Sequence, residues 1–570
     1  MTVAEAIAPA AVSTVARGLV AGLARRGVDR IFCVAGESYL PVLDALYDTS
    51  EIDVVTTRHE GSAAFMAVTD AKLAGRVGVC LVNRGPGAAN ASIGVHAAAQ
   101  DAAPLLLLVG HVRRAQIGKD VFQELDCLQM FGRLAKGIWV LHDAGGAEEL
   151  LSRAIRAAES GTPGPAVLVL PEDVLGEPFA GGTAGEPRRC ESPTPAETAV
   201  DEVELLLRRA RRPLALAGAA VTSTSGRAAL RAFSEAHAVP VCTANKRQSA
   251  LDNRHPHYAG HLHNATPAGQ LALLDRADLV LAVGTRLDDI TSRGGRFPAA
   301  PEPHQPLVHV HPDEGRIGVV HRTELGLACD PVALLWALAE RPDPPSRNER
   351  EAWARELHGY EAEKAVWRPV EAEDGIVFGE VVAALDRLTG GDVAVTVDSG
   401  VFTSWVYRYL RFGPRGTLLG ISSSAMGYGV PAAVAALLRG SDVPVVAFVG
   451  DGGFLMNGSE LATAVARRLP LVVVLSNNGS YGTIRMCQER EFPGRAIATD
   501  LANPDFARLA EAYGALGLKA RKPADVEPAL RRALAHDGPV LVEVKTSLAY
   551  VSAYRRLDGE PASPLPAAAS

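Results

Sequence analysis

The chain is poor in several features that would mark common protein classes. Its seven cysteines include no CxxC pair, so neither a zinc ribbon nor a disulfide framework is expected. Sparse, odd-numbered cysteines suit reduced thiols in a cytoplasmic protein. Its apolar runs, such as Leu105–Val109 and Leu471–Leu475, are far too short to span a bilayer, so no membrane partner is expected. The stretch before Arg17 has no basic residue, unlike a signal peptide. Lys and Arg number 57 against 65 Asp and Glu, a net charge of −8 without a basic run, which argues against nucleic acid. There is no Walker A sequence and no G-x-S-x-G elbow, and His59-Glu60 does not continue to HExxH.

What is there is an alternation of short Val/Leu-rich runs with Ala-rich stretches of helical length. Ile31–Ala35, Val77–Val82, Leu105–Val109 and Ala166–Leu170 are continuously apolar, as strands of a parallel sheet covered on both faces must be. Glu60–Ala74 and Ala88–Gln100 read as helices between them. The fold class is α/β, with doubly wound parallel sheets. Two breaks, the Gly/Pro-rich Gly176–Thr198 and the segment Ala339–Asp374, divide the chain into blocks at roughly 10–180, 195–340 and 370–550. The tail Glu560–Ser570 reads as mobile.

The third block holds the strongest chemical signal. The strand Val445–Val449 runs into Gly450-Asp451-Gly452-Gly453, a helix is expected at Ser459–Arg467, and the strand Leu471–Leu475 runs into Asn477-Asn478-Gly479. Both motifs thus end at the carboxyl edge of neighbouring strands, where α/β sheets bind ligands. Asp451 and Asn478 would present a carboxylate and an amide oxygen to one hard cation. Mg²⁺ shared with diphosphate oxygens suits that donor set, and the glycines let backbone N–H groups approach phosphate. Taken singly, Asp-Gly and Asn-Gly are ordinary turns; their spacing favours a metal–diphosphate site.

This GDG…NN pattern resembles the signature of thiamine-diphosphate enzymes, and other motifs follow in the same order. Arg58-His59-Glu60-Gly61 resembles the family's glutamate motif, Arg84–Asn90 (RGPGAAN) its RGPGATN loop, and Phe122-Gln123-Glu124 the FQE element of the acetolactate-synthase-like branch. Met426–Gly429 (MGYG) is similar to the family's turn, and His309–Gly315 looks like the final strand of its central domain. The resemblance covers roughly residues 10–550. It implies three domains: a pyrimidine-binding one at 10–180, a Rossmann-like central one at 195–340 and a diphosphate-binding one at 370–550.

The resemblance also implies roles. Glu60 would pair with the pyrimidine ring nitrogen, and Pro86 and Asn90 would line the cofactor. Gly400, Val401 and Phe402 would flank the diphosphate through their backbone, and Gly450, Gly452 and Gly453 would approach it. Ser424 would offer its carbonyl to the pyrimidine amino group, and Met426 would hold the cofactor bent. Asp451, Asn478 and the carbonyl of Ser480 would hold Mg²⁺, with Tyr481 and Gly482 completing that loop. Phe122 and Gln123 would face the reacting carbon, where an amide can donate to a carbonyl oxygen. His111, directly after a strand, reads as a structural histidine more readily than a proton shuttle. The implied substrate is a small 2-oxo acid, decarboxylated and joined to a second carbonyl compound. The family completes each site with two chains, so a homodimer or dimer of dimers, a homotetramer, is implied.

Departures from the flavin-containing acetolactate synthases bear on specificity. Ala259–Asn264 (AGHLHN) replaces their GMHG-like stretch, while Gly284–Asp289 resembles their GxRFDDR segment. FAD stays open, with the reading leaning to a protein without it. Ile484 and Cys487 line the implied substrate pocket, and Cys487 stands where those enzymes carry Trp, which opens room for a different acceptor. Glu172 replaces their usual Lys. Block one has no His-His pair of the pyruvate-decarboxylase type, which favours carboligation over aldehyde release. The alternatives are a non-ligating decarboxylase and a catalytically silent cofactor-binding scaffold; intact Glu60, Asp451 and Asn478 speak against the scaffold.

Overall fold

A computed structural model describes residues 13–179, 193–341 and 345–566. Most of the Gly176–Thr198 break and the last residues of the tail lie outside them. The chain forms two compact bodies, Met1–Cys190 and Glu191–Ser570.

The first body is one six-stranded parallel sheet: β1 (Arg30–Cys33), β2 (Asp53–Thr56), β3 (Gly78–Val82), β4 (Leu105–His111), β5 (Gly137–Val140) and β6 (Pro165–Pro171), in the order β2-β1-β3-β4-β6-β5. β3, β4 and β6 are buried along their whole length, which explains their unbroken apolar sequence. Helices cover both faces, and Val20, Leu23, Ile31, Leu81, Leu106 and Leu168 share one core.

The second body carries two sheets. The first comprises β7 (Pro213–Ala217), β8 (Val241–Thr243), β9 (Tyr258–His261), β10 (Leu279–Val283), β11 (Leu307–His311) and β12 (Leu325–Ala328), ordered β12-β11-β10-β7-β8-β9. That is the Rossmann order. The other comprises β13 (Ala394–Val397), β14 (Thr417–Leu419), β15 (Val445–Gly450), β16 (Leu471–Asn477), β17 (Leu516–Ala520) and β18 (Val540–Lys545), ordered β14-β13-β15-β16-β18-β17. Counted within each sheet, this order is the same as in the first body. The two sheets of the second body are stitched together: Asn253 exchanges two bonds with Phe412, donating its N–H at 2.8 Å and accepting at 3.0 Å. Arg254 reaches Asp386 at 3.1 Å.

Several expectations are corrected. The strand Leu307–His311 is not the last of its sheet: β12 follows as an edge strand, and its alternating burial hides it from a search for continuous apolar runs. The RGPG segment is not a loop before a helix, since the helix Gly85–Asp101 already begins inside it. Helix likewise starts at Asp451, well before Ser459. His111 lies within β4, not after it. The tail is not free over its described part: Ala562 and Ser563 are buried, Tyr409 meets Ser563 at 3.1 Å, and Arg408 donates to the Pro564 carbonyl at 2.5 Å. Among the described residues, Cys33, Cys80, Cys127, Cys242, Cys329 and Cys487 are free thiols. None of the helices there is long and apolar enough to cross a membrane.

Candidate active site

In the first body the candidate site residues gather around two helix starts. Glu60 is the first residue of the helix Glu60–Ala74, whose cap is the His59 ring accepting the Gly61 N–H at 3.0 Å. This helix lies directly on Gly85–Asp101: a Cβ added at Gly94 would fall 2.2 Å from that of Ala64. One turn earlier on each helix stand Asn90 and Glu60, and the close approach brings them together. The Asn90 amide donates to Glu60 Oε2 at 2.9 Å. Glu60 Oε1 lies 3.5 Å from where Gly87 would carry a Cβ, so that glycine keeps the second oxygen clear.

Gln123 sits beside the same helix start. Its carbonyl accepts the Gly85 N–H at 2.9 Å, and its backbone is left-handed at φ 62°. Non-glycine residues held in that region collect at functional sites. Phe122 points outward and is 75 % exposed, and Pro86 and Asn90 are exposed as well. His111 is buried with Nδ1 unpartnered, and burial pushes its pKa down. Glu172, the unusual acid, pairs with Arg84 at 2.7 Å, next to Gly85.

In the second body, the carboxyl edge of the third sheet collects the remaining residues. Gly400, Val401 and Phe402 follow β13, the turn Ser424–Tyr428 follows β14, Asp451–Gly453 follow β15, and Asn478–Gly482 follow β16. The Val401 N–H is already taken by Thr483 Oγ1 at 3.0 Å, which ties two of these loops together. Ser424 is left-handed at φ 51° and exposed, Met426 is half-buried, and the Ser423 hydroxyl beside them is buried without a partner. Ile484 is 53 % exposed and Cys487 half-buried, both on the helix Gly482–Glu491.

Asp451 is the centre of this edge. Its Oδ1 accepts the Gly452 N–H at 2.9 Å, and its Oδ2 accepts the Gly479 N–H and the Asn503 amide, each at 2.8 Å. Burial nevertheless pushes its pKa up, against the pull of those donors. A buried carboxylate short of compensating charge is what a divalent cation neutralises. Asn478 Oδ1 and the Ser480 backbone lie on the same loop, with the Ser480 N–H donating to Asn478 at 3.0 Å. Among the described residues no cluster of three His, Cys, Asp or Glu side chains could hold a metal, so any cation at this edge would have to take amide and carbonyl oxygens besides Asp451.

Three residues were missed in the sequence. Asp398, fully buried, accepts the N–H of Ser399 at 2.6 Å, of Gly427 at 2.9 Å and of Gly429 at 3.1 Å. It also lies 3.0 Å from where a Cβ on Gly453 would be, so it links the MGYG turn to the GDGG helix. Lys246, from the loop after β8, donates to the Ile421 carbonyl at 2.5 Å and to Ser424 Oγ at 3.3 Å. Asn503 is the third. Lone acids, lysines and asparagines in loops carry no spacing signal that would single them out.

Comparison with known proteins decides the family. Three thiamine pyrophosphate enzyme models match in order: the N-terminal TPP binding domain at residues 13–130, the central domain at 200–338 and the C-terminal TPP binding domain at 398–544. The chain is 32 % identical to an acetolactate synthase large subunit of Parasynechococcus marenigrum (strain WH8102), over 95 % of this chain and 88 % of that protein. The chain belongs to the thiamine pyrophosphate enzyme family. Acetolactate synthase isozyme 2 large subunit of Escherichia coli (strain K12) is 31 % identical, over 93 % of this chain and 95 % of its own. A solved structure, the Rhodococcus jostii RHA1 thiamine diphosphate-dependent 4-hydroxybenzoylformate decarboxylase, matches with a TM-score of 0.81 at 23 % identity, covering 94 % of this chain and 99 % of that one, which bears on the fold alone. As a thiamine pyrophosphate enzyme, this chain is a thiamine-diphosphate-dependent catalyst, not a silent scaffold.

Proposed function

We propose that the enzyme decarboxylates a 2-oxo acid and joins the remaining acyl unit to a second carbonyl compound. Acetolactate synthases at 31–32 % identity over nearly the whole chain carry this reading. When bound, thiamine diphosphate supplies the electron sink that decarboxylation needs. In this reading Glu60 shares a proton with the pyrimidine nitrogen through the oxygen that Gly87 leaves clear, while Asn90 holds the other oxygen. Pro86 and Asn90 line that ring. Asp451, Asn478 and the Ser480 carbonyl hold Mg²⁺. Gly400–Phe402, Gly450, Gly452, Gly453, Tyr481 and Gly482 bound the diphosphate, with Val401 serving less as a donor because Thr483 already takes its N–H. Ser424 and Met426 orient the pyrimidine, and Asp398 and Lys246 fix the turn that carries them. Gln123 donates to the substrate oxygen, Phe122 shields it, and Ile484 with Cys487 shapes the acceptor side.

The assembly we propose is at least a homodimer. Phe122, Leu455, Met456 and Ile484 are about half exposed or more beside the proposed site residues, and a second copy of the chain would cover such side chains. We include no flavin. In the stretch that departs from the flavin-containing synthases, His261 and His263 stack at 4.8 Å and pack against Tyr407 and Tyr554. A colourless purified protein is expected, and a yellow one overturns this part. The cytoplasm is the proposed location, in keeping with the free thiols.

The deciding experiment supplies the purified protein with thiamine diphosphate, Mg²⁺ and a panel of 2-oxo acids beginning with pyruvate, and resolves products by mass spectrometry. Acetolactate or acetoin is expected from pyruvate. Free aldehyde with carbon dioxide would overturn the ligation and leave a decarboxylase.

A further inference from the structure

The neighbourhood of Asp451 contains a chain of side chains that the proposed cation ligands do not explain. Asn503 uses both amide hydrogens: one goes to Asp451 Oδ2 at 2.8 Å, the other to Asn477 Oδ1 at 3.0 Å. Asn477 in turn donates to Glu543 Oε1 at 2.9 Å. Four side chains, from the helix start after β15, the end of β16, the body of β18 and the loop at Asn503, thus form a continuous relay. Its direction is set. Asn503 faces two oxygens, so its NH₂ must point at them and its own oxygen away. That oxygen is buried without a partner, as is Glu543 Oε2 at the far end. Buried acceptors left unpaired are costly, so something is gained by holding the relay in place.

The relay also explains why two asparagines stand together. Asn477 is the last residue of β16 and points back along the relay, while Asn478 begins the loop that turns to Ser480. Asp451 Oδ2 is held from two sides, by the Gly479 N–H and by Asn503. Without Asn503 that oxygen loses its side-chain donor, and backbone N–H groups alone, among them Gly479 on Oδ2 and Gly452 on Oδ1, orient the carboxylate.

We propose that Asn503 is a positioning residue for the divalent cation, fixing the plane of the Asp451 carboxylate through the relay Glu543–Asn477–Asn503–Asp451. This rests on the reading of Asp451, Asn478 and Ser480 as the cation site. Residues that hydrogen-bond a metal-ligating group typically contribute 10–100-fold to metal affinity. Mg²⁺ demands near-octahedral ligands at short distance, whereas Ca²⁺ accepts a looser shell. A carboxylate held less firmly therefore harms Mg²⁺ more than Ca²⁺.

The test titrates Mg²⁺ and Ca²⁺ by calorimetry into the full chain with saturating thiamine diphosphate, for wild type, Asn503→Ala and the volume-matched Asn503→Leu. Unfolding temperature without cation is measured alongside. The expected result is a roughly 10–100-fold loss of Mg²⁺ affinity in both variants, a smaller loss for Ca²⁺ and little change in cation-free unfolding temperature. Unchanged Mg²⁺ affinity overturns the proposal. So does an equal loss for both ions with a lowered unfolding temperature, which would make Asn503 merely structural. A wild type that binds neither ion removes the cation-site reading itself, and this is told apart because it precedes any substitution.

Discussion

Asp398 is where two strong effects oppose one another, so replacing it tests the reasoning. Burial pushes its pKa from 3.8 up to about 6, and the backbone N–H groups of Ser399, Gly429 and Gly427 and the charge of Lys246 only partly pull it back. At about 1.36 kcal/mol per pH unit, that gap penalises the ionised native form by ~3 kcal/mol at neutral pH. The sign follows from linkage: a carboxyl raised on folding binds its proton more tightly in the native state, so stability falls as pH rises from about 4 through about 6. Asp398→Asn removes that dependence. The variant keeps one oxygen for Ser399 and Gly427 but turns an NH₂ group toward the Gly429 N–H that now bonds Oδ2 at 3.1 Å. A buried donor left unsatisfied costs about 1–3 kcal/mol at any pH. Relative to wild type, the variant should therefore gain ~1.4 kcal/mol between about pH 5 and about pH 7.5. Urea unfolding of the apo chain, wild type against variant at both pH values, measures this, because other titrating groups cancel in the comparison. A difference that does not change with pH would show that the three N–H groups hold Asp398 ionised throughout, and that burial does not govern it.

Further expectations concern one proposed site residue in each body. Glu60→Gln still offers Asn90 an amide oxygen, so thiamine diphosphate should bind within about 10-fold of wild type by calorimetry while turnover falls ~10²–10⁴-fold; full turnover would refute the proton-sharing role. Lys246→Met removes the ammonium that holds the Ile421 carbonyl and Ser424. Bonds from a charged donor are worth about 1.5–3 kcal/mol, so cofactor affinity should fall about 10-fold or more, and an unchanged affinity would mean the turn holds itself.

The strand centres were legible because parallel strands buried on both faces have no polar positions to interrupt them: Val79–Val82 and Val445–Val449 are entirely buried. The early helix starts were hidden for the opposite reason. Gly85, Gly87, Gly452 and Gly453 lower helix propensity, yet each stands in helix. At Gly453 the reason is close packing: a side chain there would meet Asp398. Local propensity yields to tertiary approach at these points. Among the proposed site residues, those inside ordered motifs, such as Glu60, Asp451 and Asn478, carry a spacing signal. Asp398, Lys246 and Asn503 do not, since most of their partners lie tens to hundreds of residues away. The docked tail was missed because its anchors, Arg408 and Tyr409, lie about 150 residues upstream.

The shared strand order of the first and third sheets has a historical consequence. Counted within each sheet, Glu60 and Met426 both follow the second strand, Gly87 and Gly453 the third, and Gln123 and Asn478 the fourth. Residues proposed for cofactor binding thus occupy matching slots in two copies of a single plan. A duplicated gene whose halves drifted apart would leave this imprint, with the strand plan surviving after the residues in its slots had diverged. The Rossmann-ordered sheet between them would then be a later arrival, inserted between the halves of an older pair.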